Sequence, residues 1–154
     1  MKPTRVLFVC HGNICRSPIA EYVFKDMVRK AGIEDDFEIA SAATSREEIG
    51  NDIYPPAKNV MDAHGIVYDR RKARQVTAPD LDYYDYIIAM EDYNLRNISR
   101  MFGDAALDKV TLLMDYTDRP GDVSDPWYTR DFETAYKDIE EGCAGFLRQV
   151  MDKR

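Results

Sequence analysis

An apolar run, Arg5-Val6-Leu7-Phe8-Val9, stops at Cys10-His11-Gly12-Asn13-Ile14-Cys15-Arg16-Ser17 and passes at once into Pro18-Ile19-Ala20-Glu21. A short apolar run closed by a turn signal reads as a buried strand, here residues 5–10. Ser17 can cap a helix and Pro18 suits the first helical position, so the octet is a tight loop between a strand and a helix. Ile19, Ala20, Val23, Phe24, Met27, Val28 and Ala31 keep an apolar stripe at spacings of three and four, and Gly32 ends it.

The rest of the chain repeats this alternation. Phe37 to Ser41 reads as a second strand, and residues 44–52 as a polar loop. Pro55-Pro56 precedes a helix through about Ala63, closed by Gly65. Tyr86 to Met90 is a third strand, followed by a helix from Asp92 to Met101; Lys109 to Leu113 is a fourth strand. Asp115 to Tyr128 is a loop rich in Asp, Pro and Gly. Phe132, Tyr136, Ile139, Cys143, Phe146, Leu147 and Val150 define a long amphipathic helix at the C-terminal end. Strands alternating with helices imply an α/β fold whose parallel sheet is wrapped on both faces. Ligands of such folds sit beyond the C-terminal ends of the strands. The loop after strand one and the loop after strand four can therefore meet over one crevice.

At 154 residues the chain reads as one domain, 1–154. Lys and Arg number 21 against 28 Asp and Glu, a formal net charge of −7. An acidic surface argues against nucleic acid and anionic membranes as partners. Any anion site must then be made positive by its own loop. Cys10, Cys15 and Cys143 are too few, and odd in number, for a secreted disulfide framework. No apolar run reaches the length of a signal peptide core or a membrane span. The expected compartment is a reducing cytoplasm, although export by an unusual route would leave no mark.

The octet suits a phosphate. A strand-to-helix loop turns successive N–H groups inward, and the helix start adds its positive end. Gly12 permits the bend, and Asn13 tolerates left-handed torsions. Arg16 offers a planar fork to two oxygens of one oxyanion. The same positive field favours the thiolate of Cys10, as comparable environments lower a thiol pKa to about 3.5–7.5. Ser17 can donate to that sulfur. A Cys and an Arg facing one tetrahedral oxyanion suit cleavage of a phosphate monoester through a covalent cysteine intermediate. A nucleotide-binding P-loop fits less well, since it ends in Gly-Lys-Ser/Thr. With positive charge supplied by Arg16, the N–H groups and the helix end, no metal or cofactor is called for. His11 and His64 are not in metal-ligand spacing.

The octet with Ser17-Pro18-Ile19-Ala20-Glu21 closely resembles the low-molecular-weight protein tyrosine phosphatase family. Lys72-Ala73-Arg74-Gln75-Val76, Asp85-Tyr86-Ile87, Asn94-Leu95-Arg96, Asp125-Pro126 and Asp131-Phe132-Glu133-Thr134 extend the likeness over nearly the whole chain. The resemblance implies a three-layer α/β/α fold with a four-stranded parallel sheet and the phosphate loop between strand one and helix one. It implies hydrolysis of phosphotyrosine in proteins or peptides, and of small aryl phosphates, with inorganic phosphate as product. Cys10 would be the nucleophile, Arg16 the phosphate clamp and Asp125 the general acid and then base. His11, Gly12, Asn13, Ile14, Cys15, Arg16 and Ser17 would form the phosphate-binding loop, with Asn13, Ser17 and Ser41 holding its shape. Cys15 would be a redox partner able to form a reversible disulfide with Cys10; the alternative is a small apolar filler.

This chain departs from the family pattern in places. His11 stands where many eukaryotic members have Leu, and Ala42 where Gly is common. Glu47 takes the place of a pocket-border aromatic, and Trp127-Tyr128 that of a tyrosine pair. Glu47, Trp127 and Tyr128 are expected at the mouth, in contact with the substrate ring. Ile14 favours phosphotyrosine over the phosphoarginine taken by related members that carry Thr there. An arsenate reductase would need a second cysteine pair that the chain lacks. A phosphate-binding module without turnover fits poorly with Cys10, Arg16 and Asp125 all present. Arg70-Arg71-Lys72 and Arg74 read as a solvated turn, His64 as a structural helix end, and Cys143 as core.

Overall fold

The computed structural model describes residues 2–154. β1 (Thr4–Cys10) is followed by α1 (Arg16–Lys30), β2 (Phe37–Ala43), α2 (Pro55–Ala63) and α3 (Ala78–Tyr83). Then come β3 (Tyr86–Ala89), α4 (Asp92–Phe102), β4 (Val110–Leu112), α5 (Pro126–Thr129) and α6 (Phe132–Asp152). Among the described residues the strands form one four-stranded parallel sheet in the order β2-β1-β3-β4. The apolar run of β1 thus lies inside the sheet, where both of its faces must be covered.

The two-residue period of the strand sorts its side chains between two cores. Val6, Phe8 and Cys10 face α1, α2 and α6; Leu7 and Val9 face the side of Ile98 in α4 and of Val76 and Tyr84. Phe24 of α1 is central to the first core, with ring centres 5.9 Å from Phe8, 5.4 Å from Phe37 and 5.3 Å from Phe146. The result is three layers, α/β/α. α6 comes close to the turn at 113–116 because Gly142 and Gly145 lack side chains. A Cβ on Gly145 would stand 1.9 Å from the carbonyl oxygen of Tyr116.

The register positions the site. Cys10 pairs with Ala43, Val9 with Ala89, and Ala89 with Leu112. The strand ends are nearly level, so the loops that follow them share one edge of the sheet.

Two local expectations need correction, one on the 115–128 loop and one on Ser17. The 115–128 loop contains α5, and a 3₁₀ turn at 113–116 precedes it. Ser17 does not cap α1: that helix starts at Arg16, with Cys15 in the capping position and no side-chain cap. In addition, the 70–85 region holds a helix, α3, begun by the reciprocal pair Thr77 and Asp80, with the Thr77 N–H donating to Asp80 Oδ2 at 2.8 Å. The left-handed residue of the loop is Asn13, with φ 59°, in line with its tolerance of such torsions.

Candidate active site

Cys10 closes β1 and Arg16 opens α1, so the loop between them is anchored at both ends by regular structure. Cys10 Sγ accepts from the N–H of Asn13 at 3.3 Å and of Ser17 at 3.4 Å. The hydroxyl of Ser17 lies 3.0 Å from the same sulfur. Asn13 Nδ2 donates into that hydroxyl at 2.8 Å, which leaves the Ser17 proton free to point at sulfur. Here the contacts of Ser17 within the folded loop override its capping role.

The left-handed Asn13 is the pivot of the loop. Its Nδ2 also donates to Ser41 Oγ at 3.0 Å, and its Oδ1 accepts from the Arg74 N–H at 3.3 Å. The Ser41 hydroxyl in turn donates to Glu21 Oε1 at 2.6 Å, and Lys25 holds the other carboxylate oxygen at 2.6 Å. Arg71 donates to the carbonyl oxygens of Asn13 and Asn51. Gly12 serves by its lack of bulk: Glu48 Cγ sits 3.3 Å from where a Cβ would be.

Arg16 is buried. Its Nη1 donates to the Val123 carbonyl at 3.0 Å, and its Nη2 to Glu91 Oε1 at 2.9 Å. Burial opposes its charge, but the Glu91 bond and the nearby Cys10, Glu91 and Asp125 outweigh that and hold its pKa above the ordinary value. These two bonds leave three of the five guanidinium N–H donors for a ligand. Asp125 Oδ2 lies 3.4 Å from Arg16 Nη2, while Oδ1 accepts from the Trp127 N–H at 3.0 Å as the cap of α5. The Val123 N–H donates to the Met90 carbonyl at 2.8 Å, which ties the Asp125 loop to the end of β3.

The cleft over these groups has a volume of about 360 Å³. Cys10, His11, Gly12, Ile14, Cys15 and Arg16 line its floor; Glu47, Glu48, Glu91, Tyr93, Asp125, Trp127 and Tyr128 line its walls. Asn13, Ser17 and Ser41 lie behind the loop as supports rather than in the lining. His11 Nε2 meets Glu47 Oε2 at 2.6 Å, and its ring lies against Tyr93. Trp127 is half-exposed and packs on Tyr54; Tyr128 is 82% exposed. Ile14 and Cys15 pack with Ala73. The Cys15 thiol is pushed well above its usual pKa by burial, then by Cys10 and Asp125, with Arg16 opposing. All three thiols are free. Cys143 is fully buried in α6, and burial raises its thiol strongly too. His64 ends α2, stacks on Tyr136 at 3.9 Å and meets Glu133 at 2.7 Å.

The sequence reading missed Glu91, Tyr93 and Arg71. Glu91 follows the third strand, at the sheet edge where α/β ligand sites lie, so its position was a usable signal. Arg71 carried none, and the expected solvated turn needs correction. Arg70 and Lys72 are exposed, but Arg71 braces the loop and Arg74 forks onto Asp80 at 2.8 and 3.3 Å. Among the described residues no three His, Cys, Asp or Glu side chains cluster as a metal site. Among them, no helix is long and apolar enough to cross a membrane.

Comparison with known proteins is consistent along the chain. The family model described as low molecular weight phosphotyrosine protein phosphatase matches residues 5–154. The low molecular weight protein-tyrosine-phosphatase YfkJ of Bacillus subtilis is 38% identical over 151 residues, covering 97% of both chains. Its crystal structure aligns with a TM-score of 0.95 over 100% of this chain and 98% of that one, at 37% identity. The human low molecular weight phosphotyrosine protein phosphatase is 40% identical over 150 residues, 94% of each chain. The crystal structure of a Drosophila arginine phosphatase aligns with a TM-score of 0.85 at 32% identity, over 97% of this chain and 98% of that one.

Proposed function

The chain belongs to the low molecular weight phosphotyrosine protein phosphatase family, and from that premise we propose that, as one catalytic domain, it hydrolyses phosphotyrosine in proteins and peptides through a phosphocysteine on Cys10. One observation carries the proposal: Cys10, Arg16 and Asp125, from two distant parts of the chain, line one cleft.

Phosphate enters over the loop, where the free N–H groups and Arg16 take its equatorial oxygens. Cys10 Sγ attacks phosphorus in line. The S–P bond forms as the bond from phosphorus to the phenolic oxygen breaks, and Asp125 gives its proton to that oxygen. Asp125, now a carboxylate, takes a proton from a water that attacks phosphorus and breaks the S–P bond. Inorganic phosphate leaves and the sulfur is free again. The N–H groups and Arg16 stabilise charge on the oxygens in both steps, and positioning of this kind is the larger part of phosphoryl transfer. The cleft walls of Trp127, Tyr128 and Tyr93 suit an aryl ring. Ile14 on the floor supports an aryl over a guanidino leaving group. Cys15 lines the same cleft as the nucleophile; with a peroxide as oxidant, Cys10 becomes a sulfenic acid, the Cys15 sulfur displaces water from it, and the resulting disulfide is reversed by an external thiol.

The test is leaving-group dependence. Asp125→Ala is expected to lower kcat/KM, which reports the step up to P–O cleavage, by about 10²–10⁴-fold for poor aryl leaving groups and much less for good ones. Equal loss for all would remove Asp125 from the acid role. Parallel assays on phosphoarginine separate the arginine-phosphatase reading; faster turnover there than on phosphotyrosine would replace this proposal.

A further inference from the structure

The walls of the cleft carry more charge than the reaction itself uses. Four of the lining residues are carboxylates: Glu47, Glu48, Glu91 and Asp125. Arg16 is the one lysine or arginine among them, and it already bonds Glu91 and faces Asp125. Glu91 and Asp125 therefore have an arginine partner, whereas Glu47 meets only the His11 ring, at 2.6 Å, and Glu48 has neither lysine nor arginine among the lining residues. The exposed arginines nearby are turned to other tasks. Arg46 donates to Gln75, Arg96 pairs with Asp92, and Arg130 reaches the Tyr54 hydroxyl.

The segment that carries Glu47 and Glu48 is held against the catalytic loop by the main chain. The Thr44 N–H donates to the Cys10 carbonyl at 2.9 Å, and the Ser45 N–H to that of His11 at 3.0 Å. Glu48 lies over Gly12 and accepts from Asn51 at 2.6 Å; Glu47 is fixed by His11. Their carboxylates thus keep a set position relative to the phosphate on the loop. Tyr93, Trp127 and Tyr128 expose apolar surface around the same mouth. A peptide whose phosphotyrosine reaches the floor must lay its flanking residues across this rim.

We propose that the rim selects phosphotyrosine segments flanked by Lys or Arg and disfavours acidic flanks, with Glu47 and Glu48 as the specificity-determining residues. This rests on the phosphotyrosine phosphatase reading above. A basic flank meets Glu47 or Glu48 and then the acidic surface beyond, while an acidic flank meets the same carboxylates, Arg46 and Arg130 lying outside the lining. Each exposed ion pair is worth roughly two- to fivefold. Several such contacts multiply, and the discrimination is screened by salt, since the Debye length is about 8 Å at physiological ionic strength.

The experiment measures kcat/KM for three synthetic phosphotyrosine peptides with basic, neutral and acidic flanks. The same enzyme's rate on 4-nitrophenyl phosphate is the reference. The basic peptide is expected to exceed the acidic one by about tenfold at low salt, with the neutral peptide between them. The ratio should shrink several-fold at about 0.5 M salt. Glu47→Gln and Glu48→Gln should each narrow it roughly two- to fivefold, every rate being divided by that variant's own rate on nitrophenyl phosphate. Turnover of nitrophenyl phosphate with equal peptide rates, or a preference for acidic flanks, overturns the proposal and leaves the phosphatase reading standing. A basic preference that neither salt nor the two variants move also overturns it. No turnover of nitrophenyl phosphate defeats the phosphatase reading itself, and this proposal with it.

Discussion

Nη2 of Arg16 donates to Oε1 of Glu91 at 2.9 Å, and both side chains are largely shielded from water. The residue proposed to clamp phosphate is therefore held in place by a carboxylate from the far side of the cleft. Removing one partner of a fully buried pair costs about 3–5 kcal/mol. Glu91 is 18% exposed and Asp125 stays close to the guanidinium, so Glu91→Ala is expected to cost less, about 1–3 kcal/mol. Inorganic phosphate supplies the missing anion. Thermal unfolding should show a larger rise in Tm on adding phosphate for Glu91→Ala than for the native chain. An equal rise in both would mean that Glu91 and the ligand do not share Arg16.

Arg71 is a positioning residue for the left-handed turn at Asn13. Burial lowers its pKa, with Glu21, Tyr22, Cys10 and Asp52 acting against that shift. Arg71→Ala leaves the Asn13 carbonyl without this donor and is expected to lower kcat/KM on an aryl phosphate by about tenfold, the equivalent of 1–2 kcal/mol for one charged hydrogen bond. Arg71→Lys should recover part of it, because a single ammonium cannot reach both carbonyls with Arg geometry. Full activity in Arg71→Ala would show that the loop keeps its shape without this brace.

Asp52 anchors the same region from the other side. Burial raises its pKa. The Lys58 ammonium at 2.6 Å and the N–H groups of Ile53 and Arg71 outweigh that and bring it from 3.8 down to about 2. A carboxylate depressed on folding stabilises above its unfolded pKa and loses that contribution as pH falls through the folded one. Stability should therefore decline between about pH 4 and pH 2 through this group. After allowance for solvent screening the contribution is about 1 kcal/mol. Denaturant unfolding across pH should give Asp52→Asn a flatter profile in that window and lower stability at neutral pH. Parallel profiles for both proteins would remove Asp52 from the acid response.

Gly145 is where α6 meets the turn before the Asp125 loop. A methyl group there would overlap the Tyr116 carbonyl. Gly→Ala in an open helix gains about 1 kcal/mol, whereas overpacking costs about 1–3 kcal/mol or more. Gly145→Ala is therefore expected to lose stability in spite of its better helix propensity. A gain in denaturation midpoint would contradict the close approach.

What was legible in the chain had local causes. Cys10 and Arg16 stand at fixed spacing between an apolar run and a helical stripe, and Asp125-Pro126 lies in a loop that the alternation of elements sends to the same sheet edge. A parallel sheet covered on both faces follows from that alternation, whereas its strand order, β2-β1-β3-β4, does not. Ser17 was misread because Ser-Pro is a local capping signal, while its partners Cys10 and Asn13 meet it only in the folded loop. Arg71 looked like one more charge in a basic turn, since nothing nearby in sequence reveals that Asn13 and Asn51 await its guanidinium. Glu91 was overlooked beside the helix that it precedes. Gly142 and Gly145 resemble weak points of a helix until the turn at 113–116 is laid against them.

The central claim is that Cys10 carries the phosphoryl group during turnover. Its most direct measurement is acid quenching of the enzyme during steady hydrolysis of an aryl phosphate, followed by mass spectrometry of the Cys10 peptide. One phosphoryl group on Cys10 is predicted, with none on Cys15 or Cys143, and a greater occupancy in Asp125→Ala if loss of the base slows hydrolysis more than loss of the acid slows formation. Continued turnover with no phosphoryl group on Cys10, or turnover preserved in Cys10→Ser, would contradict the account.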